Sequence, residues 1–211
     1  AALEKIEKAR KDGKETHNSI WISAALMKQG YSVFPSDPRI ASAVEGYFSA
    51  FLDHARIIPG TREMLGRLQG RYRLGLLSNF THAPAARSIL DHLGLTGFFD
   101  AVVISGEIGY RKPHARAFEA LVRDLGVETG HIVFVGDDPE PDMHGAQQAG
   151  LRPVLSTYVR DHHLPFAPGY LSDPGDFHDA GIPRISEWKD LLRLLGMDGN
   201  SGSPQKAILE G

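Results

Sequence analysis

The chain has 211 residues, 42% of them apolar and 23% charged, and its 23 basic and 26 acidic side chains give a formal charge of −3. That length suits one packed domain with a small elaboration, and the near balance of charge offers no footprint for nucleic acid or an anionic membrane, so small solutes are the expected partners. With no cysteine present, disulfides, thiolate metal sites and cysteine nucleophiles are excluded; the absence suits a cytoplasmic protein, and no stretch reads as a membrane span or a signal peptide.

The opening "AALEKIEKARKDG" predicts a charged helix, with Glu4/Lys8 and Glu7/Lys11 at i, i+4 spacing. It lacks an initiator methionine. "SIWISAALMKQ" is apolar nearly all round, as in a helix buried between others. "DPRIASAVEGYFSAFLDHA" sets Ile40, Val44, Tyr47, Phe48, Phe51 and Leu52 on one face, with Asp37 as N-cap and Pro38 at the first helical position. Trp21 and the aromatic stripe read as core of this helical segment, which is expected to span residues 1–56 as a small cap.

From "IIPGTREM" onward helices and strands alternate. A helix over 62–69 leads to the strand "RLGLLSN". "PAARSILDHLG" is a helix closed by Gly94, and "AVVISG" is the next strand. "HARAFEALVRDLG" places Phe118, Leu121, Val122 and Leu125 on one face before Gly126. "HIVFVGD" and "LRPVLST" follow as strands, and "IPRI" as a weak fifth. Unbroken Val, Ile and Leu runs between amphipathic helices imply parallel strands covered on both faces. The expected fold is α/β, a doubly wound, Rossmann-like parallel sheet in three layers over residues 57–196, with a Gly- and Ser-rich flexible tail over 197–211.

Ligands of such sheets bind beyond the carboxyl ends of the strands. Those ends carry Ser78 and Asn79, then Lys112 shortly after Gly106, then Asp137, Asp138, Glu140 and Asp142. Acids gathered this closely repel one another, and a single helix cap needs only one of them. A hard divalent cation with oxygen ligands accounts for the rest, and magnesium is the usual occupant where phosphate is handled. Lys112 and the Ser78/Asn79 donors would meet an anion against that metal, an arrangement suited to phosphoryl transfer. Asp161, His162 and His163 raise a zinc alternative, which adjacent histidines on a loop, pointing apart and without a third spaced ligand, do not favour.

"LLSNF", "GYRKPHARAF" and "VFVGDDPEPDMHGAQQAG", in this order and with these gaps, resemble the second, third and fourth motifs of the haloacid dehalogenase-like hydrolase superfamily. The resemblance covers roughly residues 57–195, and segment 1–56 is similar to the cap many members insert after their first strand. It implies a magnesium-dependent phosphatase acting on a small phosphorylated metabolite through an aspartyl-phosphate. Ser78 and Asn79 would hold the phosphoryl oxygens, Lys112 would neutralise charge, Asp137 would ligate Mg2+, and Asp142 would be a further metal ligand or stand behind one.

The family's first motif, a DxD closing a central strand that carries the nucleophile, has no match in these residues. "LDHAR" at 52–56 and "DPGDFHD" at 173–179 have acidic spacings but follow no apolar strand. Leaving out a central strand would expose two inner edges at a cost above the roughly 5–15 kcal/mol by which domains are stable. The chain is therefore expected to be a fragment whose first strand lies before Ala1, with strands 73–78 and 132–136 unpaired with each other. Two alternatives remain: a pseudoenzyme without a nucleophile that binds phosphate esters or a protein, and a metal-free dehalogenase, which the acidic fourth motif disfavours.

Overall fold

A computed structural model describes residues 8, 9, 11–164 and 181–197. Most of the opening helix, the 173–179 acidic stretch and the tail beyond Met197 lie outside the described residues, although 8–9 and 11–12 are helical.

After that opening segment come two helices, α1 (Asn18–Lys28) and α2 (Pro38–His54). Asp37 caps α2 as the sequence suggests: its Oδ1 accepts the Arg39 N–H at 2.9 Å, and Pro38 supplies a fixed φ where no N–H is needed. Ile40, Val44 and Phe48, four residues apart, form the buried row of α2 and pack with Ile22 and Leu26 of α1 and with Phe80 and Ala85 from the neighbouring layer. Tyr47 on the same helix is 61% exposed. The expectation that α1 is buried all round fails, because α2 covers one side only: Ile20 and Met27 are exposed, and the buried residue of α1 is Ser23, whose hydroxyl donates to Val33 O at 2.6 Å.

The remaining elements alternate as α3 (Thr61–Leu68), β1 (Gly75–Ser78), α4 (Ala83–His92), β2 (Ala101–Ile104), α5 (Ser105–Ile108), α6 (Ala115–Leu125), β3 (Val133–Gly136), α7 (Gly145–Gln148), β4 (Arg152–Ser156), α8 (Tyr158–Asp161), β5 (Arg184–Ile185) and α9 (Trp188–Leu194). All ladders are parallel. They fall into two sets, β1 with β2 and β3–β4–β5, and among the described residues no ladder joins β1 to β3.

Successive strand residues nevertheless feed the same two layers. Leu77, Val103, Phe134 and Leu155 point into a core shared with α6, around Phe118 and Leu121. Their neighbours Leu76, Val102, Val133, Val135 and Val154 point the other way, against α3 and α9 through Met64, Leu65, Leu191 and Leu192. A period of two that is apolar on both faces is why these strands read as continuous hydrophobic runs. α6 lies directly on β1: a Cβ at Gly75 would come within 2.8 Å of Leu121 Cδ1. On the opposite side the Trp188 indole N–H of α9 donates to Thr61 Oγ1 of α3 at 2.8 Å.

Candidate active site

Ser78 ends β1 and Asn79 follows it, Gly136 ends β3 and Asp137 follows it, and Lys112 stands in the loop between α5 and α6. Parallel pairing puts all these ends on one edge, and side-chain bonds then draw them together.

Asn79 Oδ1 accepts the Lys112 N–H at 2.8 Å, and Asn79 Nδ2 donates to the Lys112 carbonyl at 3.1 Å. At the tip of its side chain Lys112 Nζ lies 2.7 Å from Asp142 Oδ1 and 5.6 Å from the centroid of the Phe134 ring. Both side chains are well buried, 12% exposed for Lys112 and 5% for Asp142. Asp142 Oδ2 accepts the N–H groups of Asp137 and Asp138 at 3.1 and 3.2 Å. Oδ1, although it faces the ammonium, has no hydrogen-bond partner among the described residues. We regard the 2.7 Å charge contact as what compensates it, because opposite charges this close attract at any rotor angle.

The sequence allows this fold-back through one glycine. Residues Pro139–His144 wind as a π-helical turn that brings Asp142 back over the end of β3. A Cβ at Gly136 would lie 2.5 Å from Asp142 Cβ, so no larger residue fits beneath the returning carboxylate.

Asp137 is half-buried. Burial, chiefly, and the Asp142 charge next push its carboxyl above the usual aspartate range, against the pull of Lys112. A cation beside it would remove that penalty. The residues fit magnesium to this extent: Asp137 supplies one carboxylate, the oxygens of Asp142 are taken up by Lys112 and two backbone N–H groups, and no group of three His, Asp or Glu side chains converges among the described residues. One or two carboxylates are enough for an ion whose shell is completed by water and substrate phosphate.

The loop carrying Lys112 is also held from its other side, which the sequence did not suggest. Lys14 and Tyr110 form an antiparallel bridge, with Arg111 N–H donating to Gly13 O and Glu15 N–H to Gly109 O, each at 3.0 Å. The Glu15 side chain, 2% exposed, accepts from Ser105 Oγ at 2.7 Å and lies 3.6 Å from Arg111 Nη1. No local pattern marks a lone glutamate in a charged opening segment as buried. His82 was missed as well. It caps α4 by accepting the Ala85 N–H on Nδ1, stacks on Phe48 at 4.8 Å, and turns Nε2 toward Glu45 of α2 at 3.2 Å, joining the two layers. Asp161 is occupied by Thr157 and Ser186, whose hydroxyls both donate to its Oδ2.

A family model described as haloacid dehalogenase-like hydrolase matches residues 9–150. The chain is 30% identical over 165 residues to glyceraldehyde 3-phosphate phosphatase of Methanopyrus kandleri, covering 78% of this chain and 68% of the relative. It is 32% identical over 126 residues to the enzyme of the same name from Pyrococcus abyssi, covering 59% of this chain and 52% of that one. It thus spans about half to two thirds of the length of these curated relatives. Among solved structures, the magnesium-bound HAD-hydrolase YfnB of Bacillus subtilis aligns with a TM-score of 0.61 at 22% identity over 92% of this chain and 79% of that one, a likeness of fold.

Proposed function

This chain belongs to the haloacid dehalogenase-like hydrolases, and from that membership we propose that it serves a magnesium-dependent phosphatase whose substrate is a small phosphorylated metabolite. The observation that carries the reading is the bonded set Asn79–Lys112–Asp142–Asp137 at one edge of the strands, a buried cation beside a half-buried carboxylate. Names of relatives that act on glyceraldehyde 3-phosphate support a small phosphate ester.

In this reading Ser78 sits against the phosphoryl oxygens, with Asn79 beside it at the same strand end, and Lys112 offsets the charge between phosphate and nucleophile. Asp137 would hold Mg2+, which supplies charge neutralisation of the phosphoryl group. Asp142 serves the metal from behind, by fixing the Asp137 backbone and the Lys112 ammonium. Residues 1–56 act as the helical cap over a core of 57–196.

A carboxylate oxygen attacks phosphorus, the alkoxide leaves with a proton from a neighbouring acid, and water then cleaves the acyl phosphate to release inorganic phosphate and restore the carboxylate. We place that nucleophile on a DxD-bearing strand outside these 211 residues, pairing between β1 and β3. The edges of β1 and β3 that lack a ladder partner among the described residues support this placement.

The test is phosphate release from small phosphate esters by the intact protein, with and without Mg2+. Magnesium-dependent release that Asp137→Asn abolishes is the expected result, and release that persists in Asp137→Asn would remove the site assignment. An intact protein that binds inorganic phosphate yet hydrolyses no ester would favour the pseudoenzyme reading, which the lack of a DxD in this sequence keeps in view.

A further inference from the structure

Asn79 stands 33 positions before Lys112, and its side-chain amide meets both polar groups of that residue's backbone. The Lys112 N–H can only donate and its carbonyl can only accept, so the partner fixes which way the amide faces. The result is the two-bond exchange that opposed residues make in an antiparallel ladder, with a side chain standing in for one strand. The neighbouring Arg111 N–H donates to Gly13 O on the other side of the loop. Residues 109–112 are thus bonded like a strand between two partners, and Asn79 is one of them.

Lys112 is therefore fixed at both ends, its backbone by Asn79 and its Nζ by Asp142 at 2.7 Å. Having spent one acceptor and one donor this way, the Asn79 side chain retains a single amide hydrogen for any other donation. We propose that Asn79 is a positioning residue for Lys112, acting on the phosphoryl group through where it holds the lysine and not through contact of its own amide. The inference rests on the phosphatase reading for its consequence in rate, but not for the clamp itself. A displacement of about 1 Å in a charge-stabilising group is enough to matter, since such misplacements cost on the order of a hundredfold.

A double-mutant cycle in the intact protein tests it. Asn79→Ala alone should lower kcat on the order of 10- to 100-fold, the usual effect of removing the partner that orients a functional group, with a smaller change in KM. In a Lys112→Ala background the same change should alter kcat by less than about twofold, because the group it positions is already gone. Ser78→Ala should keep its full effect in that background. An Asn79→Ala penalty that survives undiminished beside Lys112→Ala would show that Asn79 acts on substrate by itself, and the proposal would fall.

Amide hydrogen exchange gives a second reading that needs no activity. Asn79→Ala should speed exchange of the Lys112 N–H by about tenfold or more while the Phe134 N–H in β3 keeps its protection. Unchanged exchange at Lys112 overturns the clamp. If neither the wild-type protein nor any variant hydrolyses phosphate esters, the phosphatase reading fails, and the exchange measurement still decides whether Asn79 holds Lys112.

Discussion

In the loop that carries Lys112, polar groups are matched to partners far away in sequence: Asn79, Gly13, Glu15 and Asp142 all reach it. In the α1–α2 pair the contacts are mostly apolar, and large rings stay in water, with Tyr31 60% and Phe34 65% exposed. The difference is one of specification. Apolar burial is roughly proportional to area and tolerates sliding, whereas a buried hydrogen bond or ion pair is satisfied in one geometry and costly in others. The strand-end edge is built to hold atoms in place, and the helix pair is built to stay folded with fewer constraints on its position.

The largest test of this contrast removes bulk from the rigid side. Phe118 is fully buried, touches Phe134 at 5.3 Å between centroids, and lies where a Cβ on Gly145 would come within 2.7 Å of its ring. Phe118→Ala should cost about 3–5 kcal/mol, read as a shift in the denaturant midpoint at unchanged slope. A loss below about 1 kcal/mol, small for a buried aromatic, would mean that this core can collapse around a void, and the claim of rigidity would fail.

Next in size is Lys112→Ala, which in the intact protein should slow phosphate-ester hydrolysis on the order of a hundredfold, the scale for losing one charge-stabilising group. It should also leave Asp142 buried without its cation, so the midpoint should drop with the rate. A rate near wild type would separate the lysine from the chemistry.

On the looser side the effects should be smaller. The Asp37 carboxyl is held down to about 2 from an ordinary 3.8, first by its side-chain bonds to Arg39 and then by the Arg39 N–H. A carboxyl depressed on folding lends stability that is complete above the unfolded value and fades as pH falls through the folded one. The α2 cap should therefore be intact at pH 5 and weaken between about 4 and 2. A carboxyl titration by NMR with a midpoint near 4 would contradict it. Smallest of all, Tyr47→Ser on the exposed face should change stability by no more than about 0.5 kcal/mol; a larger loss would show that this ring is packed against something.

Most of the chain's periodic order could be read in advance. Asp37–Pro38 announced the start of α2, Gly94 and Gly126 the ends of α4 and α6, and the alternation of apolar runs the parallel strands, because each of these is a local preference. The edge where Ser78, Asn79, Lys112 and Asp137 gather was legible for the same reason, since strand ends follow from strands. What each residue does there was not legible. Nothing local in "SNF" says that the amide turns toward a backbone 33 residues on. The helix caps His17, His82 and His114 escaped notice because histidine is not among the usual N-cap residues, yet each accepts a backbone N–H on Nδ1. α1 was misjudged because even apolarity around a helix gives no direction, and in the structure Ile20 and Met27 on it are exposed.

The backbone bridge between Lys14 and Tyr110 sets a lever for the helix pair. α1 starts only four residues after Lys14 and runs for 11 residues, about 16 Å at 1.5 Å per residue. A tilt of about ten degrees about the first residue of α1, close to that anchor, would carry the far end of the helix by roughly 3 Å while moving the end of its first turn by about 1 Å. Thr81, whose hydroxyl donates to Asn18 Oδ1 at 2.5 Å, bonds α1 at its first residue, beside the root of the lever, where travel is least. The exposed Met27 and Tyr31 lie at the distant end, where travel is greatest.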